Sequence, residues 1–385
     1  MAEINIGVIG AGFMGKPFAI ALQMAKKFFG SALKDVSLRV LATTTEETGK
    51  NRADDLGIEE WTGDWKSMVR RDDIDAVIIA VPNYLHKEMV IEAARNGKHV
   101  LCEKPLGLNG AEGKEMYEAV KKAGVRHMVN FCYRGTPAIR LVKRWIEEGK
   151  LGRIISFRSA YLQDWGNEDG VLLSWRFQKR YSGAGCLGDV GSHVIDIARY
   201  LVGEFSEVIG VPKTLIEERQ VGALQFGKKA GTGDGETGKV DVDDMCDVLF
   251  TFENGAQGTF SVSRLALGRK NYFVFEIYGT EGSVFFDWEK RNDVLLLTND
   301  MPGDKKGFTR VIVGEQEHPY SEFLWAIPGL GIGYAEPIAI QLYEFLAGII
   351  EGREVSPSLY DGWKSNQVVD GVIRSFQTKK FVSVQ

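Results

Sequence analysis

Residues 3–15 read EINIGVIGAGFMG, a short apolar strand running straight into a turn with glycines at 10, 12 and 15. A strand, a glycine-punctuated turn and a helix are the parts of a dinucleotide-binding βαβ unit. Gly10 permits the tight turn, Gly12 leaves room for backbone to approach a pyrophosphate, and Gly15 lets the next helix sit close to the strand. Free N–H groups at that helix start can hold phosphate oxygens. In a chain with 45 glycines the spacing alone is weak, and a merely tight turn is the competing reading. The strand before it and the helical stretch Lys16 to Phe29 after it favour the cofactor site, with Phe13 and Met14 as further contacts.

The pattern outward from this turn is that of a doubly wound α/β domain. Residues 3–9, 37–43, 75–80, 98–102 and 126–129 read as strands, several almost wholly apolar, as expected of parallel strands covered by helices on both faces. Helical patterns occupy 14–29, 45–56, 84–96 and 110–123, so right-handed crossovers are expected.

After a helix near 136–149 the pattern changes to turn-linked strands at 153–163, 205–216, 241–252, 256–264, 272–279, 283–287 and 292–297. Asn254-Gly255 and Glu281-Gly282 read as hairpin turns. An antiparallel or mixed open sheet fits, with helices near 186–202, 334–350 and 361–376 covering its buried face. The expected division is a Rossmann domain at 1–130, an α+β substrate-binding and oligomerisation domain at 131–360, and a C-terminal helix and tail at 361–385. The glycine-rich stretch 221–240 reads as a mobile excursion or an intersubunit arm. Residues 301–333 alternate turns with aromatics, including Tyr320, Phe323 and Trp325, which suit a pocket lining or packing across the sheet.

Composition excludes several classes. A net charge of −5 gives no bulk attraction to nucleic acid. No stretch approaches the roughly 20 apolar residues of a membrane span, and the N-terminus lacks a secretory pattern, which makes the cytoplasm the expected compartment. Cys102, Cys132, Cys186 and Cys246 are too scattered for a disulfide scaffold and lack the Cys-x-x-Cys spacing of a zinc or redox site.

On the cofactor side, the second strand ends in LATTTEE, so Thr43 and Thr44 stand where a carboxylate often receives the adenosine ribose. Hydroxyls suit either ribose hydroxyls or a 2′-phosphate, which leaves NAD and NADP both open. Val81-Pro82-Asn83 ends another apolar strand, where Pro82 and Asn83 can meet the cofactor ribose or Asn83 can cap the next helix. His86 follows as a further cofactor contact or as a half-exposed helix residue.

Two clusters suggest chemistry. KHVLCEKPLG ends an apolar strand in Glu103-Lys104-Pro105, placing Lys104 to reach a nicotinamide and a substrate hydroxyl, against a surface Glu103–Lys104 pair as the alternative. The second is GAGCLGDVGSHVIDIARYLVGE, where helical spacing puts Asp189, His193 and Asp196 on one face. A histidine near neutral pKa can take a hydroxyl proton while a carboxylate sets its tautomer. Asp189 as a helix cap and His193 as a core histidine are the structural alternatives. One histidine and two carboxylates make a poor metal site, and no metal is expected.

The order of these motifs resembles the Gfo/Idh/MocA oxidoreductase family across nearly the whole chain. After the glycine turn come VPNYLH at 81–86, CEKP at 102–105, NFCYR at 130–134, WRF at 175–177, GDVGSHVID at 188–196 and VDD at 242–244. The resemblance implies a Rossmann domain followed by an α+β domain whose open sheet forms subunit contacts in a homodimer or homotetramer. It also implies oxidation of a secondary hydroxyl on a cyclic polyol, pyranose or anhydrosugar, with hydride passing to nicotinamide C4. In that mechanism His193 accepts the proton, Asp189 orients the site and Lys104 stabilises charge at the reacting oxygen. Asn130, Tyr133 and Arg134 would line the same crevice, with Trp165, Asn167, Trp175 and Arg176 as further substrate contacts. The threonines at 43–45 and Lys16 after the glycine turn depart from the commonest family pattern. An NAD-dependent glycoside hydrolase working through transient oxidation, and a non-catalytic sugar or redox sensor, are the competing functions.

Overall fold

The computed structural model describes residues 3–167, 171–222, 235–324 and 327–384. Most of the glycine-rich stretch, 223–234, and Trp325 lie outside the described residues. In chain order the elements are β1 (Ile4–Ile9), α1 (Gly15–Phe28), β2 (Val36–Ala42), α2 (Glu46–Leu56), β3 (Glu60–Thr62), α3 (Trp65–Val69), β4 (Ala76–Ile79), α4 (His86–Arg95), β5 (His99–Cys102), α5 (Gly110–Ala123) and β6 (His127–Val129). There follow α6 (Pro137–Glu147), β7 (Ile154–Leu162), α7 (Lys179–Ser182), α8 (Cys186–Asp189), α9 (Gly191–Leu201), β8 (Phe205–Lys213), β9 (Glu218–Gln220), β10 (Thr237–Lys239), β11 (Met245–Phe252), β12 (Gln257–Ser263) and β13 (Tyr272–Gly279). The last are β14 (Gly282–Asp287), β15 (Asp293–Thr298), β16 (Thr309–Ile312), α10 (Ala335–Glu351), α11 (Leu359–Thr378) and β17 (Val382–Ser383).

The chain divides into two compact units. The first, Met1–Gly135 with Gly333–Lys364, holds a six-stranded parallel sheet in the order β3-β2-β1-β4-β5-β6. All four residues of β4 are buried, the expected state of a strand covered on both faces. Local signals fix the helix ends: Asn109 accepts the Glu112 N–H at the start of α5, and Gly124 closes it in the left-handed conformation with φ 68°.

The sequence reading places the helix near 334–350 over the second sheet, and the structure corrects this. α10 packs on α1 within the first unit, where Phe29 and Tyr343 stack with ring centroids 3.8 Å apart. Gly135 sits so close to α10 that a Cβ there would lie 2.1 Å from the Pro337 carbonyl oxygen. An apolar helix face carries no mark of which core it will join. The boundary expected at 360 accordingly gives way to a first unit built from two separate segments.

The second unit, Thr136–Ile332 with Ser365–Gln385, is built on a nine-stranded sheet ordered β16-β15-β14-β13-β7-β12-β11-β8-β17. Only the β12–β7 pairing is parallel; the remaining pairs are antiparallel. Burial alternates along β11, as it should where one face of a sheet is covered. On that face Phe157, Phe250, Phe260, Phe273, Phe275 and Phe286 form a fully buried aromatic layer.

The strand expected at 241–252 begins only at Met245. The two residues before it hold other segments through their carboxylates: Asp243 accepts from Gly185 and Leu187, and Asp244 from Leu215 and Ile216, while the Asp243 carbonyl accepts from the Cys186 N–H rather than from a neighbouring strand. The same contacts end the preceding strand at Lys213 rather than 216. The expected helix 186–202 is likewise two pieces, α8 and α9, divided at Val190.

Candidate active site

The glycine turn closes on the first unit's sheet. Gly10 has φ 101°, and a Cβ on it would stand 2.4 Å from the Ala80 carbonyl oxygen, so only glycine fits there. A Cβ on Gly15 would reach the Gly10 carbonyl oxygen at 3.4 Å, which is how α1 approaches β1 so closely. At Gly12 the added atom would meet nothing within 4 Å. That open side of the turn is what a dinucleotide pyrophosphate requires, and the residues fit such a group. Phe13 is 59% exposed beside it, Met14 is half-buried, and Lys16 is exposed.

At the end of β2 the Thr43 hydroxyl donates to the Thr45 carbonyl at 2.9 Å, while Thr45 caps α2 by accepting from Thr48. Thr44 is exposed and is the hydroxyl of the two open to a ligand. Pro82 is half-buried and Asn83 is buried. α4 starts at His86 with Leu85 at its N-cap, and Asn83 opens the short helical turn Asn83–Leu85 that leads into it.

His86 has a different task from a cofactor contact. Its ring is completely buried, with Nε2 3.0 Å from the Val81 carbonyl and Nδ1 3.1 and 3.2 Å from the carbonyls of Pro105 and Leu106. It therefore braces the turn after β4 against the turn after β5. Burial pushes its pKa down.

That second turn carries Glu103, Lys104 and Pro105, with the Lys104–Pro105 bond cis. Glu103 is buried and accepts the Asn130 side-chain amide at 2.6 Å and the Lys104 backbone N–H at 3.1 Å. Lys104 itself is half-buried. Asn130 is thus joined to the Lys104 turn through Glu103, and Tyr133 is buried in the short helical turn after β6. Arg134, expected to touch substrate, is occupied otherwise. Its guanidinium pairs with Asp361 at 2.9 Å and donates to the Ser356 hydroxyl at 3.2 Å, fastening the returning segment to the unit.

Tyr334, which opens α10, is a residue the sequence reading passed over. Its hydroxyl lies 3.9 Å from the Met14 sulfur, and Glu103, Cys132 and Tyr133 surround it closely enough to raise its pKa together with burial. The returning segment therefore brings a phenol to the glycine turn. Nothing local in the sequence signals this, because the approach depends on α10 joining the first unit.

In the second unit, Asp189 ends α8 and His193 stands in the first turn of α9. The two flank the break at Val190 rather than sharing one uninterrupted helix. The N-cap position of α9 is taken by Val190, so Asp189 stands one residue before it. Its carboxylate instead accepts from the Arg264 guanidinium at 3.2 Å. His193 is buried beside the Tyr161 ring, with centroids 6.1 Å apart, and Asp196 is buried in the next turn.

Of the remaining substrate-contact candidates, Trp165 is half-buried, donates to Gln163 at 2.9 Å and packs on Phe177, with centroids 5.8 Å apart. Asn167 is exposed. Trp175 is half-buried under the Arg176 guanidinium, 4.3 Å from its ring centroid. The VDD aspartates turn out to be buried braces for the loops before α8 and after β8. All four cysteines are buried and unbridged. Among the described residues no group of three or more His, Cys, Asp or Glu side chains could hold a metal ion, and no helix is long and apolar enough to cross a membrane.

Comparison with known proteins agrees with this architecture at both ends. Residues 4–131 match the oxidoreductase family with an NAD-binding Rossmann fold, and residues 139–285 match the GFO/IDH/MocA C-terminal domain. The chain belongs to the GFO/IDH/MocA oxidoreductase family. It is 46% identical over 387 residues to the levoglucosan dehydrogenase of Pseudarthrobacter phenanthrenivorans, covering 100% of this chain and 99% of that protein. It is 34% identical to the NAD⁺-dependent scyllo-inositol 2-dehydrogenase of Bacillus subtilis, covering 77% of each. A solved levoglucosan dehydrogenase in complex with NADH and levoglucosan superimposes with a TM-score of 0.94 at 45% identity, covering 100% of both chains. As a member of this family the protein is an NAD-dependent oxidoreductase of the sugar and polyol dehydrogenase type, and the Gly10–Gly15 turn lies within the matched NAD-binding Rossmann region.

Proposed function

We propose that this enzyme oxidises a secondary hydroxyl of a cyclic sugar to the ketone, with an anhydrosugar such as levoglucosan as the first substrate to test and inositols next. The observation that carries the reading is identity of 46% along the full length with a levoglucosan dehydrogenase, in a chain that retains Lys104, Asp189 and His193 at the motif positions.

Bound NAD would supply the hydride acceptor at nicotinamide C4. The chain's own residues then manage the proton and the charge. The His193 imidazole takes the hydroxyl proton as the C–H hydride leaves, which requires it to be neutral at the start of the step. Asp189 orients the site and favours the imidazolium once formed. The Lys104 ammonium donates a hydrogen bond to the reacting oxygen and stabilises negative charge developing there. Trp165 and Trp175 offer ring faces to the apolar side of a sugar, and Asn167 and Arg176 offer donors to its hydroxyls. Reduction of the ketone is the same sequence reversed.

The test is a cofactor-linked absorbance assay with levoglucosan, pyranoses, inositols and aminosugars, each with NAD and with NADP. Steady NADH formation with levoglucosan or another cyclic polyol supports the reading. Cleavage of glycosides without net cofactor turnover, or sugar binding with no turnover at all, would reject it.

A further inference from the structure

Arg264, just after β12, is the largest of the fully buried side chains, at 1% exposure. A buried guanidinium is costly to desolvate and is kept only with good partners. Its Nη2 donates to Asp189 Oδ2 at 3.2 Å and its Nη1 to the Arg176 carbonyl at 3.4 Å. The guanidinium carbon stands 5.3 Å from the Trp165 ring centroid and 5.7 Å from that of Phe177. A second buried arginine, Arg219 on β9, lies over the same Phe177 ring at 4.3 Å and donates to the carbonyls of Gly166 at 2.6 Å and Val171 at 3.3 Å. Two cations thus grip the Phe177 ring and the backbone carbonyls of Gly166, Val171 and Arg176.

The two grips differ in what else they hold. Arg264 is bonded to Asp189. Among the described residues the charged and titratable groups around it include Asp189 and Cys186 on α8, Asp243 before β11, and Arg219. Burial pushes the Cys186 thiol up so that it stays neutral, raises Asp243, and lowers Arg219. Asp189 is the acid to which Arg264 is directly bonded.

We propose that Arg264 is a positioning residue of the dehydrogenase: it holds Asp189 as an oriented carboxylate and ties that carboxylate to the Trp165 ring and the Arg176 carbonyl, while Arg219 holds Gly166, Val171 and Phe177. This rests on the assignment of Asp189 and His193 to the reaction. Removing the cation makes Asp189, to which it is hydrogen-bonded, easier to protonate. A reaction that needs Asp189 ionised then has its acid limb moved to higher pH.

The experiment compares Arg264→Gln, Arg264→Lys and Arg219→Gln, following kcat and KM for the best substrate across pH, NADH binding by fluorescence, and thermal unfolding. Arg264→Gln should lower kcat/KM on the order of 100-fold and move the acid limb up by about one pH unit, with NADH affinity unchanged. Arg264→Lys should keep the limb near the parent position while lowering kcat, since a lysine retains the charge but not the fork. Arg219→Gln should raise KM and leave the limb in place. An Arg264→Gln enzyme that is weaker but titrates like the parent has lost only packing, which overturns the proposal. If that variant does not fold, an Arg264→Lys enzyme with parental kcat overturns it instead. Absence of sugar-dependent NADH formation in the parent enzyme would be a failure of the functional reading, and is seen before any variant is made.

Discussion

Gly10 and Ala80 approach so closely that one added carbon on the glycine would lie 2.4 Å from the alanine's carbonyl oxygen. Gly12, two residues on, faces open space. The two glycines are therefore required for different reasons, and substitution should separate them. Gly10→Ala meets both the contact and the φ of 101°, and should destabilise the fold by about 1–3 kcal/mol. Gly12→Val should unfold at close to the parent temperature and lose most of its NADH affinity. Melting curves with and without NADH check both. A Gly12→Val protein that binds NADH normally would contradict the pyrophosphate assignment.

His86 links stability to pH. Its folded pKa lies below the ordinary value of 6.5 because the ring is buried, so the unfolded chain takes up a proton at a pH where the native chain does not. Its contribution is complete above that value and declines as pH falls below it, levelling off once the native ring protonates. His99, His127 and His318 are shifted the same way and add to the slope. His86→Gln loses carbonyl contacts and should cost about 1–3 kcal/mol at neutral pH. Between about pH 6.5 and 5 its stability should also fall less steeply than the parent's. Parallel stability–pH curves for the two proteins would show that His86 is not a source of the linkage.

These two residues mark what a one-dimensional reading sees. The glycine turn was legible because its requirements are local: a φ value, a near carbonyl and a short helix start. Helix α5 falls at the expected 110–123 because its ends are set locally too, by Asn109 and Gly124. His86 was misread because its acceptors, Pro105 and Leu106, come from the next crossover of the sheet. Short strands such as β3 and β16 carry too few residues to show a period. The fixing of the start of α8 depends on where Asp243 sends its carboxylate, some 56 to 58 positions away in the chain, which no local spacing records. The second segment of the first unit was invisible for the broader reason that an amphipathic helix does not name its partner.

Arg134 and Asp361 offer a direct check on that returning segment. Their side chains are only 5% and 16% exposed, so removing one leaves the other's charge buried and unpaired. Arg134→Met should destabilise the protein by about 3–5 kcal/mol, and the double change Arg134→Met with Asp361→Leu by less. If Arg134 bound substrate, the single change would instead raise KM with little loss of stability. Denaturant unfolding and steady-state kinetics on the same two proteins decide between the roles.

Lys104 and His193 carry separable parts of the proposed reaction, one the charge on oxygen and the other the proton. Lys104→Ala removes a donor aimed at developing charge and should lower kcat on the order of 10²–10³-fold. Folding and NADH binding should be retained, because the turn it sits on is braced by Glu103, Asn130 and His86 rather than by its own ammonium. His193→Asn removes the base and should lower the oxidation rate by roughly 10²–10⁴-fold. A base must be unprotonated to act, so the parent rate falls as pH drops through its pKa, and that acid limb should vanish in the variant. Near-normal turnover in Lys104→Ala would remove the ammonium from the mechanism. A limb that persists unchanged in His193→Asn would assign the proton to another group.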